Sequence, residues 1–169
     1  MTPQRQAGDR PVSPIQGKLT LNPVPYRRAV TPHFRLSNRT FQVASAVIDL
    51  SAHPPTLDIE TVGVDVDGER WAPYLYHHGL VLGTLAPDEL QGSSHVLAAP
   101  EGGCPPQQDS GYLYVFGHEE WTHAALHFGR LSGDQIELYI QGAADVLWDD
   151  TFGAAVPFEC VCLATVIPA

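Results

Sequence analysis

Glycine and proline interrupt this chain at short intervals, and that spacing restricts the regular structure it can form. The 169 residues include 15 glycines and 15 prolines, well above their usual combined share of about 12%. Proline lacks a backbone donor and glycine is a poor helix former, so long helices are nearly excluded. Short strands joined by turns are the structure that such punctuation favours.

The alternation of apolar and polar residues predicts where those strands lie. The most regular alternation runs from Ile136 to Trp148 and predicts a strand with one buried and one solvated face. Segments 41–50, 111–116 and 156–168 are apolar on both faces, which predicts central strands.

Turn and helix signals complete the predicted architecture. The Asp67-Gly68 pair predicts a two-residue hairpin turn, because glycine tolerates the positive φ that such turns require. Residues 84–92 hold a proline, two early acids and a final glycine in the order expected of one short helix. Together these signals predict a mainly β fold, an antiparallel β-sandwich or partly open barrel with one or two short helices.

The chain length fits a single domain, since domains cluster at roughly 100–150 residues. Residues 1–16 are polar, contain three prolines and lack periodicity, so we predict a flexible N-terminal arm. Residues 17–169 are predicted to form one β-rich domain.

The three cysteines do not form a metal-binding pattern. Cys160 and Cys162 would point to the same face of a strand, and no second closely spaced pair completes a zinc site. We therefore predict that both are buried free thiols. Cys104 lies alone in a loop-like segment.

Charge is distributed unevenly along the chain. Through residue 40, seven basic residues stand against one acidic residue, a balance of 7 − 1 = +6. The remaining 129 residues carry 2 − 18 = −16. An acidic domain attracts basic partners and repels the phosphate backbone, so we expect a basic protein partner and no nucleic acid.

The sequence also bears on the expected location of the protein. No apolar run reaches the ~20 residues that span a bilayer, and the N-terminus lacks the apolar stretch of a secretory signal. We therefore expect no membrane partner and a cytoplasmic location.

Two acidic clusters are candidate partner-binding sites. One surrounds a tryptophan, which is a residue type enriched at interface centres. The other lies at the predicted hairpin turn. Their members are Asp145, Trp148, Asp149 and Asp150 in the first cluster, and Asp65, Asp67 and Glu69 in the second.

Segment 117–129 is the candidate metal site, and its secondary structure decides what it can do. As a helix it would place Glu119, His123 and His127 on one face, with the histidines ~6 Å apart along the axis and able to share a transition metal such as zinc. As a strand it would hold the two histidines roughly 13 Å apart, which excludes a common ion. The sequence leaves both readings open.

Three functional classes follow. The acidic body, and the lack of a G-x-S-x-G or a glycine-rich phosphate loop, favour a binding protein without a cofactor over an enzyme. The leading hypothesis is a small acidic module that binds and neutralises a basic protein, as an immunity protein does for a bacterial toxin. The alternatives are a metal-binding protein or enzyme using His123 and His127, and a structural homo-oligomer subunit whose N-terminal arm docks on a neighbouring copy.

Overall fold

The computed structural model describes residues 31–98, 110–115, 118–146 and 153–169. The predicted arm, residues 1–16, lies outside these ranges. The described chain consists of strands and one short helix: β1 (His33–Leu36), β2 (Arg39–Asp49), β3 (Thr56–Thr61), β4 (Val64–Val66), β5 (Glu69–Trp71), β6 (Tyr74–His78), α1 (Pro87–Leu90), β7 (Ser94–Ala98), β8 (Ser110–Tyr114), β9 (His118–Ser132), β10 (Gln135–Ala144) and β11 (Val156–Ile167).

The fold is a strongly curled antiparallel sheet that forms a half-barrel. Its nine strands follow the order β10-β11-β1-β2-β3-β6-β8-β9-β7. The exception to antiparallel pairing is a short parallel contact between the ends of β11 and β2. The prediction of a mainly β, partly open barrel with a short helix is confirmed.

The long strand β9 connects the two ends of this order. Its first residues pair with β8, its middle pairs with β7, and most of its length pairs with β10. The pairing of β9 with β10 therefore curls the sheet back towards the first strand of the order.

The core fills the inner face of the curled sheet. Alternate residues of each strand point inward, as the period of two in the sequence requires. The largest fully buried side chains are Phe34, Leu36, Phe41, Ile48, Leu50, Leu57, Ile59, Leu75, Leu90, Leu113, Leu126 and Ile136.

A separate two-stranded sheet, β4 and β5, extends from the body as a hairpin. Its turn residues Asp67 and Gly68 have φ angles of 52° and 88°. Two successive positive φ angles are typical of the type I′ turn, so the hairpin prediction at Asp67-Gly68 is confirmed.

Strand β2 is central in the sheet, as predicted, but the structure differs from the sequence reading about its two faces. Phe41 and Ile48 are buried, whereas Ala44 and Ser45 are exposed. A register shift between Val43 and Ser45 changes which residues face inward. Odd-numbered Phe41 before the shift and even-numbered Ile48 after it therefore lie on the same buried face.

Candidate protein-binding site

The predicted acidic cluster on the β4–β5 hairpin is partly neutralised by arginines. Arg70 lies 3.6 Å from the carboxylate of Asp65, and Arg39 lies 3.4 Å from that of Asp67. The Arg39 guanidinium also lies over the ring of Trp71, 4.7 Å from its centroid. Glu69 is exposed. The hairpin therefore offers a partner less negative charge than its sequence indicates.

The second predicted cluster falls largely outside the described residues. Trp148, Asp149 and Asp150 belong to the part of the chain that the structure leaves undescribed. The carboxylate of Asp145 accepts a 2.7 Å hydrogen bond from the backbone N–H of Ala155. This contact links the residues on either side of the undescribed residues 147–152, which gives Asp145 a structural role.

The candidate metal ligands Glu119, His123 and His127 all lie on β9, so the helical reading of this segment is wrong. Along a strand, four residues span roughly 13 Å, too far for His123 and His127 to share an ion. The Nδ1 atom of His127 instead lies 2.7 Å from the hydroxyl of Ser94. No group of three or more metal-ligating side chains comes together among the residues that the structure describes.

A different surface combines acidic and aromatic side chains on the outer side of three adjacent strands. We call it the acidic tyrosine face. Strand β3 supplies two carboxylates, while β6 and β8 supply two tyrosines each. Its members are Asp58, Glu60, Tyr74, Tyr76, Tyr112 and Tyr114.

Register brings these residues into two cross-strand rows. Tyr76 pairs with Asp58 on β3 and with Tyr112 on β8. Tyr74 pairs in the same way with Glu60 and Tyr114. Neighbouring side chains in such rows interact directly, since paired Cβ atoms lie roughly 5 Å apart.

Alternation along each strand explains why these side chains face outward. Leu57 and Ile59 on β3, Leu75 on β6 and Leu113 on β8 have no exposed surface and belong to the core. The residues between them must point to the opposite side of the sheet. Burial of the leucines and the isoleucine therefore fixes the orientation of the tyrosines.

The tyrosine rings form a continuous layer that is half-buried. The ring centroids of Tyr74 and Tyr114 lie 5.3 Å apart, those of Tyr74 and Tyr76 lie 6.3 Å apart, and those of Tyr112 and Tyr114 lie 6.2 Å apart. These separations are within the range of favourable aromatic contacts. The layer is thus ordered before any partner binds.

Burial, followed by the hydrogen bond and charge of Asp58, raises the pKa of Tyr74 above its usual value. Burial also raises the pKa of Tyr114. Both phenols are therefore protonated near neutral pH and can donate hydrogen bonds. These two phenols therefore add no phenolate charge to the face.

The carboxylates of this face lack a cationic partner among the described residues. Glu60 accepts a 3.2 Å hydrogen bond from Ser45, and Asp58 accepts one from Tyr74. Each arginine in the described part of the chain is paired with another acid. These pairs are Arg35 with Glu159, Arg39 with Asp67, Arg70 with Asp65 and Arg130 with Glu137.

A groove of about 360 Å³ lies elsewhere, across β1, β11, β10, β9 and β7. Gly142 and Phe158 line its apolar part, while the ion pair of Arg35 and Glu159, 3.1 Å apart, lies at its polar side. The predicted metal ligand His123 also lines this groove. Because its acid and its arginine neutralise each other, the groove carries little net charge to attract a charged partner.

The acidic tyrosine face was not among the sites predicted from the sequence. The signal that marks it is the Tyr-x-Tyr spacing, which occurs at residues 74–76 and again at 112–114, together with Asp-x-Glu at 58–60. Each pattern places two polar or aromatic side chains on one face of a strand. The clustering of acidic residues at turns instead predicts partner-binding sites around Asp65 and Asp145.

Comparisons with protein-family models, with curated proteins and with solved structures find no match to this chain. In the described parts of the chain, no helix has the length and apolar character needed to cross a membrane.

Proposed function

We propose that this protein binds a basic partner protein through the acidic tyrosine face. The observation that carries the proposal is the placement of Asp58 and Glu60, which have no cationic partner among the described residues, beside a preformed layer of four tyrosines. Tyrosine is enriched at protein interfaces, because it offers a large contact area and a polar group.

The chemistry of this face suits arginine and lysine side chains. A guanidinium or ammonium group can lie over a tyrosine ring while it forms an ion pair with a neighbouring carboxylate. Tyr74 and Tyr76 lie directly beside Glu60 and Asp58, so both interactions are available to the same cation. A small anion would meet only carboxylates and neutral phenols there.

The charge of the whole domain supports the same class of partner. Residues 41–169 carry a net charge of 2 − 18 = −16. Such a field accelerates the approach of a basic protein and disfavours nucleic acid. Neutralisation of a basic protein, as an immunity protein neutralises its toxin, is the role that we propose for this binding.

A titration of the full-length chain with a nona-arginine peptide tests the proposal. We expect Asp58→Asn/Glu60→Gln to weaken binding by roughly two- to thirty-fold, the equivalent of two exposed ion pairs at about 0.2–1 kcal/mol each. The matched control is Asp65→Asn/Asp67→Asn, which makes the same change in net charge on the hairpin. Equal weakening of binding in the two variants would show that affinity depends only on net charge. It would refute specific binding at the acidic tyrosine face.

A further inference from the structure

We propose that, in the absence of a partner, the chain's own N-terminal segment (residues 1–30) covers the acidic tyrosine face through Arg27 and Arg28, and that a basic partner must displace it. The contact itself needs no partner. A role of this contact in regulating partner binding rests on the proposed function, because the segment and the partner would compete for the same carboxylates.

Cations are distributed unevenly between the described body and the N-terminal segment. All four arginines in the described ranges already form ion pairs. The lysine and the other arginines of the sequence lie within residues 1–30, where they give 5 − 1 = +4. They are Arg5, Arg10, Lys18, Arg27 and Arg28. The carboxylates of the face, which have no cationic partner among the described residues, and these five basic residues therefore carry opposite charge and belong to two parts of the chain.

The N-terminal segment joins the body close to the start of β1. Strand β1 begins at His33, opposite Gln42 of β2. Further along β2, over Val47–Asp49, β11 occupies the neighbouring position in the sheet, so β1 cannot extend backward there. The interior at this point is core, because Phe34 and Ile48 are fully buried. The outer side of the sheet, where the acidic tyrosine face also lies, is therefore the side that is open to residues 1–30.

Arg27 and Arg28 are close enough to β1 along the chain to reach the acidic tyrosine face. Val62, just after β3, lies opposite Gln42, so Glu60 is two residues along the strand from the level of His33. Strands lie about 4.8 Å apart, so Glu60 is roughly 12 Å from His33, and Tyr74 on β6 is roughly 16 Å away. Arg28 precedes His33 by five residues, and an extended chain of that length spans up to roughly 17 Å. Arg27 and Arg28 can therefore reach both strands without moving the body.

The short connection also makes the contact favourable. A basic group tethered by a few residues acts at an effective concentration of about the millimolar range, whereas a free peptide must be supplied at that concentration. Weak exposed ion pairs can therefore hold the segment in place, and a partner with more cations can still displace it.

Zero-length cross-linking of the full chain tests the contact directly. In Arg27→Lys/Arg28→Lys, which keeps the charge, a carbodiimide should join residue 27 or 28 to Asp58 or Glu60 within the monomer. The cross-link should disappear in the same chain carrying Asp58→Asn/Glu60→Gln. Cross-links from residues 27 and 28 only to other acids, or only within dimers, would overturn the proposal.

Competition by a synthetic peptide of residues 17–31 gives a second test. We expect this peptide to bind full-length Arg27→Glu/Arg28→Glu at least tenfold more tightly than the wild type, whose own segment occupies the face. Arg5→Glu/Arg10→Glu makes the same charge change and should bind the peptide as the wild type does. Equal binding by all three chains would overturn the proposal.

The cross-linking variant and the three chains of the peptide experiment together separate this inference from the proposed function. If the expected cross-link forms but nona-arginine binds neither wild type nor Arg27→Glu/Arg28→Glu, the self-contact stands and the proposed function fails. If nona-arginine binds all three chains equally at Asp58 and Glu60 and no cross-link forms, the function stands and the self-contact fails.

Discussion

The phenol of Tyr74 donates a 2.7 Å hydrogen bond to the carboxylate of Asp58, its diagonal neighbour across β3 and β6. The bond fixes the tyrosine ring against the sheet and holds the carboxylate at the surface. Asp58 retains further acceptor positions, because an ionised carboxylate can accept several hydrogen bonds. Tyr74 is therefore held within the aromatic layer, while the carboxylate of Asp58 stays available to a cation.

Tyr74→Phe removes this hydrogen bond and keeps the ring. We expect a loss of about 0.5–1.5 kcal/mol in the free energy of unfolding, the usual net value of a hydrogen bond. Urea denaturation of the two proteins measures the difference. Tyr76→Phe is the matched control, because its hydroxyl lies 3.4 Å from His78 in a much weaker contact. If the two variants are equally stable, the Tyr74–Asp58 bond has no stabilising role.

The buried histidine His77 should make stability depend on pH. It is 1% exposed, and burial lowers its pKa to about 4, with a smaller contribution from the charge of His78. Between pH ~4 and ~6.5 the unfolded chain binds the proton and the folded chain does not, so acid favours unfolding. We expect this group to contribute roughly 3 kcal/mol of stability above pH ~6.5 that is lost as the pH falls to ~4.

Denaturation of His77→Gln as a function of pH measures this contribution. The variant should lose most of the stability change that the wild type shows between pH ~4 and ~6.5. The control is His123→Gln, since His123 is exposed on β9. A His77→Gln profile parallel to that of the wild type would show that other groups cause the acid sensitivity.

The sequence predicts the fold class well because the relevant signals are local. Proline and glycine spacing, alternation along Ile136–Ala144 and the Asp67-Gly68 turn each act within a few residues, and each agrees with the structure. The acidic tyrosine face depends on register between strands that are distant in sequence. Asp58, Tyr76 and Tyr112 become neighbours only through two successive pairings.

The ambiguity of segment 117–129 also has a physical cause. Trp121 and Ala124 are both buried although they are three positions apart, a spacing that on a regular strand would place them on opposite faces. A register shift at Thr122, where Ala143 and Ala144 pair with His123 and Trp121, changes the parity. The bulge therefore produces the i, i+3 spacing that resembles a helix.

Gly142 allows a close approach of three strands, and Gly142→Ala should be destabilising. A Cβ atom at this position would lie 2.5 Å from the backbone oxygen of His123 and 2.7 Å from the ring of Phe158. The backbone would have to move to relieve these close contacts, so we expect a loss of about 1–3 kcal/mol in the free energy of unfolding. Thermal or urea denaturation measures it. Gly153→Ala is the control, because nothing lies within 4 Å of its added Cβ. Equal stability of the two variants would contradict this account of the packing.

The thiols of Cys160 and Cys162 are both buried, as predicted, and they should be unreactive in the folded protein. The neighbouring Cys162 thiol, followed by burial, raises the pKa of Cys160, so little reactive thiolate forms. In a Cys104→Ser chain, we expect a thiol reagent such as Ellman's reagent to label neither cysteine until denaturant unfolds the sheet. The labelling rate should then follow the population of unfolded protein. Rapid labelling in native buffer would show that β11 opens locally, and that the contacts of β10 and β1 do not hold it in the core.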